Sequence, residues 1–134
     1  KSTMRVGITV VIILFSSYML FNFLKSQPIK DGDAEVLSAL EKNGSDLSKT
    51  HTIEFFLYFP SEENAKEAAT QIKKVYTDFE MDIHKIENIE DWTLQITTNF
   101  VPELSYLHQV RDHFNRVATA LHGEYDGWGA GLVK

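Results

Sequence analysis

The sequence contains no cysteine. That excludes disulfides, thiolate zinc sites and cysteine nucleophiles, and leaves both oxidising and reducing compartments open. Proline and glycine are scarce, at 3 and 7 of 134 residues, and no internal repeat or low-complexity tract is present, so a linker-like or fibrous chain is excluded. Basic charge is also short: 13 Lys and Arg stand against 19 Asp and Glu, a net −6. That sign opposes unaided contact with phosphate backbones and favours basic or mixed protein surfaces as partners. Motifs of catalysis are missing as well, with no P-loop, GxGxxG, GxSxG or HExxH. What is present is ordinary globular material, 43% apolar and 12% aromatic, in a length that suits one compact domain and a short appendage.

Charge is absent altogether from residues 6–24, which open on Val6 and close on Leu24, with Lys1 and Arg5 before them and Lys25 and Lys30 after. At about 1.5 Å per helical residue the run reaches roughly 28 Å, close to the roughly 30 Å hydrocarbon core of a bilayer. We read it as an uncleaved single-pass anchor, because a secretory signal has a shorter apolar core and small residues at its cut, whereas Phe21, Asn22, Phe23 and Leu24 run straight into Lys25. Two basic residues on each side leave the positive-inside rule without a vote on orientation. The chain therefore divides into an anchor and joint, 1–30, and a domain, 31–134. Nine basic residues against nineteen acidic ones give that domain a charge of −10.

Within the domain, apolar spacing predicts a short helix over 33–43, capped by Asp31 or Asp33 and stopped at Gly44. Residues 52–59 alternate, with Ile53, Phe55, Leu57 and Phe59 on one face and Phe56 and Tyr58 on the other. A helical stripe from Ala65 to Phe79 follows Ser61, and residues 80–87 and 92–100 read as a hairpin. Pro102 and Glu103 introduce a second long helix, Gly123 ends it, and 124–133 suits a last strand with a bend. The order predicts an α+β, ferredoxin-like βαββαβ two-layer sandwich with an extra N-terminal helix, preceded by the transmembrane segment. The leading helix is expected to cover Phe56 and Tyr58 in part; uncovered, they would form a partner-binding patch.

No catalytic, cofactor or metal set emerges. The five histidines lack ligand spacing and read as surface residues, and acid pairs such as Glu62–Glu63 sit where caps and turns need them. Outer-face aromatics could stack RNA bases, but a charge of −10 without a basic stripe opposes direct nucleic-acid binding. No small-molecule substrate is indicated. Tyr125-Asp126-Gly127-Trp128-Gly129 admits two readings: a bent edge strand whose Gly127 permits a bulge, or a docking site anchored by Tyr125, Asp126 and Trp128.

That last motif, together with Asn43-Gly44-Ser45-Asp46 leading into Thr52-Ile53-Glu54-Phe55, resembles the ribonuclease E inhibitor family known as regulator of ribonuclease activity B, over residues 33–131. The resemblance implies a small acidic bacterial protein, without chemistry of its own, whose partner is ribonuclease E. The added anchor and Lys66, Lys73, Lys74 and Lys85 depart from the soluble, strongly acidic family pattern. An inner-membrane location fits ribonuclease control only with the domain inside; a domain in the periplasm would keep the fold as an envelope-interaction module without that role.

Overall fold

The computed structural model describes residues 31–134. The elements are α1 (Gly32–Lys42), β1 (His51–Phe59), α2 (Glu62–Val75), β2 (Glu80–Lys85), β3 (Trp92–Phe100), α3 (Leu104–Ala120) and β4 (Glu124–Ala130). They form a mixed α/β fold with three helices and a four-stranded sheet in the order β2-β3-β1-β4, antiparallel at every pairing. Among these residues no helix is long and apolar enough to cross a membrane. The span expected at residues 6–24 lies outside the described residues.

Period-two alternation does in β1 what the sequence predicts. Ile53, Phe55, Leu57 and Phe59 are wholly buried and share one cluster with Ala65, Ala68 and Ile72 of α2 and with Leu107, Val110 and Phe114 of α3. Phe55 sits amid this cluster, its ring 5.0 Å from that of Phe114 and edge-on to it. Val36 and Leu40 of α1 belong to the same cluster, and α1 packs against α3 and β4. All three helices therefore lie on one face of the sheet. The expected cover of Phe56 and Tyr58 by the leading helix is not found, because the apolar stripe of α1 is used beside α3, on the face opposite those two rings.

Local chemistry sets the ends of the elements. Asp31 caps α1 by accepting from the N–H groups of Asp33 and Ala34 at 3.0 and 3.3 Å. At its other end Gly44 turns left-handed (φ 99°), while Ser45 N–H and Gly44 N–H return to the Leu40 and Glu41 carbonyls, the paired closure that satisfies a helix's last acceptors. Ser61 caps α2 through Asn64 N–H. The helix stops at Val75 and not at Phe79: a turn from Tyr76 to Phe79 lays Phe79 on the core, stacked on Tyr76 with ring centres 4.6 Å apart. β4 ends at Ala130, short of the expected Val133.

Candidate functional site

The motif from Tyr125 to Gly129 lies on the edge strand β4, and a bulge governs it. Leu57 pairs with Tyr125 and Phe56 with Gly127, which leaves Asp126 as an extra residue, and Gly127 takes φ 113°. An inserted residue breaks the period of two. Tyr125 and Trp128, three apart, consequently both pack on the helix-side cluster, while Asp126 turns outward and accepts a hydrogen bond from Tyr58 Oη at 3.1 Å.

Trp128 is 1% exposed, and its Nε1–H donates to Asp33 Oδ1 at 3.0 Å. Of the two readings open to the sequence, the exposed tryptophan anchor is thus not present, and the bent edge strand describes this ring. Tyr125 is partly buried, and burial of its hydroxyl end pushes that group well above the usual tyrosine range, to which the nearby Asp33 adds. Phe56, Tyr58 and Asp126 stand together on the opposite face of the sheet, at 7%, 1% and 8% exposure.

Around Asp33 a charged knot joins three elements. His108 Nε2 on α3 lies 2.5 Å from Asp31 Oδ2 and 4.0 Å from Asp33 Oδ2. Arg111 Nη1 lies 3.9 Å from Asp31 and 3.6 Å from Asp33, and its Nη2 pairs with Asp112 at 3.0 Å. Burial raises the Asp33 carboxyl above its usual range, against the pull of the Trp128 N–H and Arg111. Burial also opposes ionisation of Asp31, but the hydrogen bonds from His108, Ala34 and Asp33 outweigh it and hold that carboxyl below its usual range. Asp31, Asp33 and His108 offer three ligand atoms within 4.8 Å of one another. The Arg111 guanidinium already supplies positive charge to both carboxylates, so the group reads as an ion-pair knot that fastens α1.

Sequence reasoning missed a second polar cluster. His51 is fully buried and not a surface residue. Its Nδ1–H, in the tautomer the network favours, donates to the Lys49 carbonyl at 2.8 Å, and its Nε2 accepts from Ser45 Oγ at 2.6 Å. Ser45 Oγ in turn accepts from Val133 N–H at 2.9 Å. The pair has the outline of a nucleophile and its base, but Ser45 is 6% exposed and its oxygen is engaged on both sides, so the arrangement ties the loop before β1 to residues 131–134. No spacing rule reveals this contact, since Val133 stands 88 residues away.

The outer face also carries a cavity of about 210 Å³, lined by residues that include Glu54, Phe56, Tyr58, His84, Thr93 and Gln95. Gln95 Nε2 donates to Glu54 Oε2 at 3.1 Å, and His84 Nδ1 meets Asp82 Oδ2 at 2.7 Å.

The buried serine and the acid knot both serve the packing of this mixed α/β domain. Residues 30–130 match the family model described as regulator of ribonuclease activity B, and the chain belongs to that family. No curated protein matches the chain. Among solved structures, a C-terminal segment of the alpha subunit of aIF2 from Pyrococcus abyssi is similar at 19% identity over 92% of this chain and 70% of its own, with a TM-score of 0.32. That likeness is too slight to carry any argument.

Proposed function

We propose that this chain is a noncatalytic regulator that lowers ribonuclease activity by binding the enzyme, with ribonuclease E as its partner. The observation that carries the reading is membership of the family of ribonuclease regulators across 101 residues, 30–130. The −10 charge of residues 31–134 supports a protein partner over direct grip on RNA, because each approaching phosphate would meet repulsion. The strand order β2-β3-β1-β4, with both long helices on one face, supports a ferredoxin-like layout.

The partner surface we assign is acidic and exposed, with Glu80 and Asp82 of β2, and not Phe56, Tyr58, Asp126 or Trp128, whose burial gives them packing roles. Residues 6–24 would hold this domain at the inner membrane, facing the cytoplasm where transcripts are cut. Purified full chain titrated against ribonuclease E should bind it saturably and slow cleavage of a model transcript. Absence of binding ends the proposal. A carboxyl-terminal reporter fusion tests the location, and a periplasmic Lys134 would rule out ribonuclease control.

A further inference from the structure

We infer that the open edge of β2 is a docking site for one extended segment of the partner protein, which adds to the sheet as a further strand with basic side chains on its outer side. The inference rests on the regulator reading above and gives the mode by which that acidic surface holds its partner. The edge itself comes first. Among the described residues β2 pairs with β3 alone, with no break in register from Glu80 opposite Thr97 to Lys85 opposite Trp92. Its other side therefore presents a row of backbone N–H and C=O groups. β4, at the opposite edge, is interrupted by the Asp126 bulge, a device that turns an edge away from pairing.

Lysine side chains commonly guard an open edge, and here they are drawn aside. Lys85 Nζ donates to the Ile89 carbonyl at 2.9 Å and to that of Glu90. Lys73 Nζ donates to the Phe79 carbonyl at 2.5 Å. Both ammonium groups are thus held by the backbone of their own chain.

The surroundings then select the segment. Met81 and Ile83 pair with the core residues Ile96 and Leu94, whereas Glu80 and Asp82 pair with Thr97 and Gln95, so the two acids stand on the sheet face away from the helices. On the helix side a groove of about 560 Å³ lies between α2 and β2, lined by residues that include Ala69, Lys73, Lys74 and Met81. Its apolar members suit aliphatic side chains, and the two lysines in its wall disfavour a cation there. On the outer side Glu80 and Asp82 are exposed; the Asp82 side chain is 70% exposed even though His84 Nδ1 meets its Oδ2 at 2.7 Å.

An added strand alternates as β2 does. Every second side chain, apolar, enters the groove, and those between, lysine or arginine, stand beside Glu80 and Asp82, where opposite charges on neighbouring strands attract. Main-chain hydrogen bonds give such a complex its affinity, and the alternate side chains give it specificity. A second copy of this chain is the poorer occupant, because two domains of −10 repel each other.

The test uses the full chain in non-ionic detergent, with backbone amide NMR and hydrogen exchange as readouts and short capped peptides as probes. A peptide alternating valine and lysine should shift the amides of residues 80–85 saturably and slow exchange along β2. One alternating valine and glutamate should bind at least about tenfold more weakly, since like charges on paired strands repel. N-methylation of alternate residues in the lysine peptide removes its main-chain donors along one edge and should also weaken it at least about tenfold. Glu80→Gln combined with Asp82→Asn, both exposed and harmless to folding, should lower affinity for the lysine peptide about threefold, chiefly through slower association. No saturable shift at residues 80–85 overturns the inference. So does an N-methylated peptide that binds as well as its parent, because charge alone would then hold the segment. Self-association of the chain that protects the β2 amides overturns it in favour of a second copy. Ribonuclease E that binds while leaving those amides unprotected overturns it and leaves the regulator reading standing. Ribonuclease E that binds no form of the chain removes the regulator reading, and the peptide titration still judges the edge.

Discussion

His122 and Gly123 divide between them a task that sequence reasoning gives to the glycine alone. The left-handed residue that closes α3 is His122, at φ 61°, with Gly123 N–H and His122 N–H returning to the Ala118 and Thr119 carbonyls. Gly123 is needed for a different reason: a Cβ there would lie 2.4 Å from Phe59 Cδ1 and 2.5 Å from the Tyr58 carbonyl oxygen. His122→Gly should therefore stabilise the domain by about 1 kcal/mol, the cost of a left-handed side-chain-bearing residue. Gly123→Ala should destabilise it by about 1–3 kcal/mol through overpacking. Thermal unfolding of the two variants checks both, and the opposite order would refute the assignment. Trp128 is a comparable case. Trp128→Ala should cost about 3–5 kcal/mol as a core cavity, and Trp128→Phe about 1–3 kcal/mol through the hydrogen bond lost to Asp33. A Trp128→Ala chain that melts like the parent would contradict the packing role.

At the scale of elements, the order of strands and helices is legible because periodicity reports which residues must share a face, as Ile53 to Phe59 do. Which layer a short helix joins is a different matter. Val36 and Leu40 announce an apolar stripe, but nothing local says that Asp33, Trp128 and Arg111 will draw α1 beside α3. The last motif admits two readings for a related reason: in an unbroken strand Tyr125 and Trp128, three apart, would face opposite ways, and the Asp126 bulge turns both inward. Gly127 is the visible signal of that bulge, and its depth in the fold is not visible.

The acid knot makes the attachment of α1 dependent on pH, with opposite signs at its two carboxylates. Asp31, lowered from 3.8, contributes stability that is present above pH 3.8 and lost as pH falls through its folded value. Asp33, raised from 3.8, contributes stability that is fully present below pH 3.8 and lost as pH rises through its folded value. Asp33→Asn keeps the acceptor for Trp128 and removes that loss. Its stability relative to the parent should therefore improve as pH climbs from about 4 through the raised folded value, as read by denaturant unfolding at a series of pH values. A gap that moves the other way would place the ionised form of Asp33 as the favoured one.

For the whole molecule, charge and shape act at different stages of an encounter. A domain of −10 surrounds itself with a field that reaches only about 8 Å at physiological salt and about 30 Å at 0.01 M. Such a field guides a basic partner surface before any atom touches, while the affinity retained after docking depends on desolvated anchors in pockets. The two contributions separate in kinetics. The association rate constant for ribonuclease E should fall at least about tenfold between 0.01 M and 0.15 M salt, within the roughly 10- to 1,000-fold range of electrostatic steering, with the dissociation rate changing much less. Replacing the exposed acids Glu80 and Asp82 with glutamine and asparagine should flatten the salt dependence of association and leave dissociation nearly unchanged. Surface plasmon resonance across a salt series distinguishes these effects. An association rate indifferent to salt would mean that the acidic surface does not face the ribonuclease during approach.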